Sequence, residues 1–316
     1  MKYDIHQTTT YSYASPVPVA RHVVRMMPVE RLGQRIESTR FIVKPEPVEW
    51  TDSTDFFGNR VSHIRIETPH TRFVVTTHVR VEVVAGPLPA PEDSPPWELV
   101  REQGAASGDL GPASPVHHLF PSPLIRLDPE ITAWAEQSFP PGRAMLAGAV
   151  DLMSRLYNEF TYDSKATDVS TPPGEAFAIR RGVCQDFAHI MISGLRGLGL
   201  PAAYVSGFLR TEPPPGQERL QGADATHAWV NVWCGPGIGW QGLDPTNDLR
   251  VATDHVVLAV GRDYSDVAPV GGVLVGSGRQ KLGVAVDVVP IIDGRPIAPT
   301  GSKSGRERKG ASSERR

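Results

Sequence analysis

The stretch Gly182-Val183-Cys184-Gln185-Asp186-Phe187-Ala188-His189, running into an apolar segment that ends at Leu200, constrains this chain more than any other. Phe187, Ile190, Met191, Leu195 and Leu198 recur at helical spacing, which predicts a helix with one buried face. A preceding helix is expected over residues 174–181, closed by Gly182 in the left-handed conformation that glycine adopts freely. Cys184 then falls in the first turn of the second helix. Unpaired N–H groups and the positive end of the helix dipole favour an anion there, so a thiolate is favoured too.

A nucleophile also needs a base. Downstream stand Ala223-Asp224-Ala225-Thr226-His227-Ala228-Trp229-Val230-Asn231-Val232-Trp233 and Gly239-Trp240-Gln241-Gly242-Leu243-Asp244-Pro245-Thr246. Both read as strands: His227, Trp229, Asn231 and Trp233 share one face, and Asp244 ends the second run before a Pro245 turn. Antiparallel pairing across a short loop would bring Asp244 beside His227. An imidazole there could take the thiol proton and return it to a leaving amine, with a carboxylate fixing its tautomer. The Cys184 N–H at the helix start is a candidate oxyanion donor.

The words around these residues carry a further signal. GVCQDFAH with its apolar helix, LGLPAAYVSGFL, DATHAWVNVW and WQGLDPTND together resemble the transglutaminase-like superfamily of papain-type cysteine enzymes. HVVLAVGRDYSDVAPVGGV is similar to the C-terminal part of its bacterial branch, and YDIHQTTTYSYASPV with DFFGNRV to the N-terminal domain that accompanies that branch. The resemblance covers most of residues 1–290. It implies a catalytic triad of Cys184, His227 and Asp244, and a family that includes proteases, amidases and amide-forming transferases. The reading favours hydrolysis of an amide or peptide bond through a thioester. Transfer to an amine, or a non-catalytic peptide-binding module on the same fold, are the alternatives.

A chain of 316 residues has room for two domains. Residues 1–86 read as an antiparallel β-sandwich: Val75, Thr77, Val79, Val81 and Val83 alternate with polar residues, and Ile64 and Ile66 share a face. Residues 87–125 are rich in Pro and Gly and read as a connector, with Trp97 and Val116 to Phe120 docking on a domain. Residues 126–292 form the expected cysteine domain, helices packed on an antiparallel sheet that residues 256–260 and 282–289 complete, so the fold class is α+β. Asp128-Pro129-Glu130 starts a helix, and a second runs over about 143–160. Residues 163–170 border the cleft in this reading, and 211–224 form a flap over it. The tail 293–316, with six Lys/Arg against two Glu in its last fourteen residues, is expected to be disordered.

Tyr162 and Trp229 are the candidate substrate contacts. Trp229, on the face of His227, could also keep water from the thiolate–imidazolium pair. Cys234 reads as structural, and so does His189, which lies about 140° round the helix from Cys184. Asp186 reads as helix-start charge. A zinc site of Cys184, Asp186, His189 and His227 matches no common spacing, so neither metal nor cofactor is expected. A net charge of −3 gives no reason to expect nucleic acid or an anionic membrane as partner. Two cysteines and no basic-apolar leader in residues 1–20 set a cytoplasmic expectation, with a peptide or protein as substrate. Oligomeric state is not legible.

Overall fold

The computed structural model describes residues 1–210, 226–276, 278–292 and 295–296. The expected flap at 211–224 and the tail from 297 lie outside the described residues. Six strands open the chain: β1 (Lys2–Val17), β2 (Val19–Val24), β3 (Gln34–Lys44), β4 (Glu49–Thr54), β5 (Arg60–Ile66) and β6 (His70–Val83). Then come α1 (Trp97–Ala105), α2 (Pro129–Glu136), α3 (Met145–Glu159), β7 (Thr161–Tyr162), α4 (Pro173–Ile179), β8 (Arg181–Gly182) and α5 (Cys184–Gly197). Strands β9 (Ala202–Leu209), β10 (Thr226–Trp233), β11 (Trp240–Asp244), β12 (Leu249–Arg250) and β13 (His255–Gly261) follow. The last elements are α6 (Tyr264–Val267), β14 (Val270–Val275), β15 (Gln280–Ile292) and β16 (Arg295–Pro296).

Two antiparallel sheets, β16-β15-β1-β6-β3 and β14-β2-β5-β4, make a sandwich at the N-terminal side. The alternation in β6 explains its place. Phe73 and Val75 bury against Val24, Ile64 and Ile66 of the second sheet, while Val79, Val81 and Val83 on the same face bury against a different partner. That partner is the central sheet of the other half, β12-β11-β10-β9-β13, reached through Phe208 of β9 and Val256 and Leu258 of β13. One long strand thus contributes to two cores. Residues 282–289 correct the sequence reading: they lie in β15, paired with β1, and not in the sheet beneath the cysteine helix. Arg295 and Pro296, read as tail, extend that same sheet as β16.

The edge of the central sheet is closed by side chains. Gln34 donates from Nε2 to the Val257 carbonyl (2.9 Å) and accepts the Val257 N–H at Oε1 (2.8 Å). Asn59 does the same for Val260, at 2.7 and 2.8 Å. Each amide supplies the donor–acceptor pair that a neighbouring strand would give, so β13 presents no bare edge at these two residues. The turn at Asp55–Asn59, legible as a hairpin signal, therefore also docks the sandwich on the other half.

Helix α5 crosses β9 and β10, and α2, α3 and α4 pack against it. It is more deeply set than its apolar stripe predicted, with every residue from Gln185 to Arg196 buried. Its polar positions are accommodated one by one: Ser193 donates to the Arg126 carbonyl at 2.9 Å. Arg196 donates to the carbonyls of His118, Phe120, Ala202 and Arg262 at 2.7–3.1 Å. Those bonds pin the connector, in which Trp97, Val100 and Ile125 also join the core. The helix α1 inside it was not foreseen, because Trp97, Val100 and Gly104 make too short a stripe to rise above the surrounding Pro and Gly.

Candidate active site

Cys184 is the first residue of α5 and is half-buried. As first helical residue its N–H has no acceptor four residues back within the helix. The turn into the helix is built by Asp186, whose Oδ2 accepts from the Val183 N–H (2.8 Å) and the Thr167 hydroxyl (2.6 Å). Burial raises the Asp186 pKa, and these two hydrogen bonds oppose the rise. Gly182 plays a different part from the one expected. The left-handed residue that closes α4 is Arg180 (φ 54°). Gly182 is required because a Cβ there would stand 2.6 Å from Asp186 Oδ2. It pairs in parallel with Tyr162 in the two-stranded β7–β8 ribbon.

The segment 163–170 lies against the start of α5: Gln185 Nε2 donates to the Val169 carbonyl at 2.9 Å. Tyr162 is exposed, and its phenol pKa is raised by burial of part of the ring and by the charges of Cys184 and Asp186. It stands paired with Gly182, two residues before the cysteine, with an open face.

Strands β10 and β11 pair antiparallel, Val230 opposite Leu243, which sets Asp244 near Trp229 and diagonal to His227. His227 Nε2 donates to Asp244 Oδ2 at 2.7 Å. Asp244 is fully buried, and three other donors reach it: Asn247 Nδ2 at 2.8 Å, His255 Nε2 at 3.2 Å, and the Thr246 N–H to Oδ1 at 3.0 Å. Burial would raise its pKa, but the hydrogen bonds from His227 and His255 and the imidazolium charge hold it well below the carboxylate range. For His227 burial acts to lower the pKa. The hydrogen bond to Asp244 and the influence of the Asp244 and Cys184 charges outweigh it and raise the value to about 10. With Nε2 given to the carboxylate, Nδ1 is the ring nitrogen left for the sulfur.

Trp229 is fully buried. It lies over Gly207, where a Cβ would come within 2.4 Å of the indole, and its ring sits 6.3 Å from His227 and 5.1 Å from His255. It walls the His–Asp pair from water and offers no surface to a substrate, which corrects its place among the substrate contacts. Cys234 is buried, its thiol pushed up to about 12 by burial, and its sulfur faces the Val232 carbonyl. His189 accepts the Tyr264 N–H at Nε2 (3.3 Å); burial lowers its pKa to about 4. Asp186 and His189 thus serve separate backbone partners and do not converge with Cys184 and His227. Among the described residues, His227, Asp244 and His255 bring three ligand-type atoms within 4.8 Å of one another. Both imidazoles already commit their Nε2–H to the carboxylate, so the trio is joined by hydrogen bonds.

Two residues of this site were missed in the sequence. Asn247 lies three places beyond Asp244 in the quoted word DPTND, within reach of its own strand end. His255 opens β13, on the opposite edge of the sheet from β11, and nothing in its local spacing marks it.

Residues 3–82 match the bacterial transglutaminase-like N-terminal region, and residues 129–245 match the transglutaminase-like superfamily. An uncharacterized protein of Mycobacterium tuberculosis is 38% identical over 307 residues, spanning 92% of this chain and 93% of that relative. Protein-glutamine gamma-glutamyltransferase of Pseudomonas aeruginosa is 32% identical over 113 residues, 33% of this chain and 16% of that protein. Among solved structures, a candidate cysteine protease from Cytophaga hutchinsonii superposes with a TM-score of 0.69 at 22% identity, covering 96% of this chain and 94% of that one. It shares the fold. The chain belongs to the transglutaminase-like superfamily, on an α+β papain-like core preceded by a β-rich N-terminal region.

Proposed function

We propose that this protein is a cysteine-dependent acyl-transfer enzyme that cleaves an amide or peptide bond, with Cys184 as nucleophile, His227 as proton shuttle and Asp244 as the group that orients it. The observation that carries the reading is the 2.7 Å bond from His227 Nε2 to a fully buried carboxylate, on an imidazole whose pKa the Cys184 charge also raises. The imidazolium stabilises the thiolate, and the sulfur attacks the carbonyl. The Cys184 N–H, unpaired within the helix, is the proposed oxyanion donor. His227 then passes its proton to the departing amine, and the thioester is released by water activated on the same imidazole. No step asks for a metal or cofactor. Tyr162, exposed and paired with Gly182 just before the cysteine, is the proposed substrate contact, and the cytoplasm the proposed compartment, with a peptide or protein as substrate.

Transfer of the acyl group to an amine is the second reading, favoured by the partial likeness to the glutamyltransferase. Incubation with a casein digest separates the two. Both release the leaving amine or ammonia when the thioester forms, but hydrolysis leaves a new carboxylate whether or not a primary amine is added, whereas a transferase joins the added amine to that acyl group. Cys184→Ala abolishes either activity. Turnover that persists in Cys184→Ala, or its complete absence from wild type across peptide and amide libraries, would defeat the proposal.

A further inference from the structure

Asp244 Oδ2 receives N–H groups from two imidazoles, His227 on the adjacent strand and His255 on the far edge of the sheet. We propose that His255 is a positioning residue that grips this carboxylate oxygen alongside His227 and shares its charge, so that the site is a Cys–His–Asp–His set. The inference rests on the functional reading above and deepens it.

The fold goes to some length to place this ring. His255 is buried, and Trp229, seated over the side-chain-free Gly207, meets it edge to face at 5.1 Å. Immediately before it, the Asp254 carboxylate turns away from the site and accepts the Tyr3 hydroxyl at 2.7 Å and Arg210 Nη1 at 3.3 Å. The Arg210 N–H bonds the Asp254 carbonyl at 2.9 Å. Immediately after it, Val256 packs into the cluster shared with Tyr3, Ile5 and Val79 of the N-terminal sandwich. The start of β13 is thus fixed by the N-terminal domain on one side and by Trp229 on the other. The ionisable groups facing His255 are Asp244 from β11 and His227 from β10, whose ring centroid is 6.3 Å away.

Its tautomer follows from its partners. A carboxylate only accepts, so His255 Nε2 carries the proton. His255 Nδ1 is buried with no hydrogen-bond partner, and a proton there would be an orphan buried donor. His255 is therefore a one-proton donor that orders Asp244 without adding a charge. Three N–H groups on one oxygen divide its accepting power, so His255 moderates the hold of Asp244 on the imidazolium of His227. A general acid that must release its proton benefits from such moderation.

Spectra of protein labelled with 15N-histidine, recorded from pH 6 to 11, test this. In wild type His255 is expected as the Nε2–H tautomer with Nδ1 bare. In His255→Phe, which leaves a ring against Trp229 but no donor, the His227 titration midpoint is expected to rise by about half to one pH unit. In His255→Gln, whose amide N–H reaches toward the same oxygen, it returns close to wild type. An unchanged or lowered midpoint in folded His255→Phe overturns the proposal. So does an Nδ1–H tautomer in wild type, which needs no variant to fold. Failure of the functional reading is seen separately: wild-type Cys184 would then alkylate with iodoacetamide no faster than glutathione, whatever the His255 tautomer.

Discussion

Replacing Asn59 by alanine removes the amide that closes the β13 edge at Val260. Asn59 is 1% exposed, so water does not substitute for it in the native packing. The change leaves the Val260 N–H and carbonyl without their partners at 2.8 and 2.7 Å. It also takes an acceptor from Arg31 Nη2 (2.8 Å) and a donor from Asp55 Oδ2 (3.1 Å). Asp55 keeps the N–H groups of Phe57 and residue 59, so its loss is small. Val260 is only half-buried, which lets water soften its cost. Counting about 1–3 kcal/mol for each buried group left unsatisfied, and discounting the partly hydrated ones, the variant should lose about 2–4 kcal/mol. Urea unfolding of wild type and Asn59→Ala measures that difference, and hydrogen exchange locates it in the Val260 amide. A loss under about 0.5 kcal/mol, or a Val260 amide as protected as in wild type, would refute the idea that side-chain amides stand in for a strand here.

Acid should destabilise the fold through buried neutral histidines. Burial lowers His22 to about 4, His118 to about 3 and His189 to about 4, against an ordinary 6.5 in the unfolded chain. The unfolded state therefore binds protons first, and stability present above pH 6.5 is lost as pH falls toward 4, at roughly 1.4 kcal/mol per unit per histidine at most. Unfolding curves at pH 7.5, 5.5 and 4.5 should show this, and His22→Phe, stacked on Phe73, should flatten the decline. His227 works in the opposite sense: with its folded value raised to about 10, its contribution is full below 6.5 and fades as pH climbs to 10. Gly182→Ala drives a Cβ onto Asp186 and should cost about 1–3 kcal/mol while slowing Cys184 alkylation; an unchanged rate would mean that the helix start tolerates the shift. Arg196→Met abandons four carbonyls, those of His118 and Ala202 in fully buried bonds, and should cost about 3–5 kcal/mol in urea unfolding.

What could be read in the sequence was what periodicity and adjacency encode. The alternation of β6, the cysteine at a helix start, and a histidine and an aspartate on neighbouring strands all follow from spacing within a few residues. Contacts that join residues 200 positions apart were beyond it. Gln34 and Asn59 look like ordinary turn or surface amides until β13 is placed beside them, and Arg196 looks like a solvated charge until the connector folds over it. His255 was invisible for the same reason, since a lone histidine opening an apolar strand carries no trace of a carboxylate across the sheet. Gly182 was correctly seen as necessary but for the wrong cause. A glycine can be demanded by a neighbouring side chain as well as by its own φ, and sequence does not separate the two.

The most direct test of the central claim is the rate at which iodoacetamide alkylates Cys184 at pH 6, followed by mass at that residue. The account predicts a rate at least tenfold above glutathione in wild type that collapses to the glutathione level in His227→Ala. Equal rates in wild type, His227→Ala and glutathione would mean that the imidazole does not activate the sulfur, and the proposed chemistry would fail.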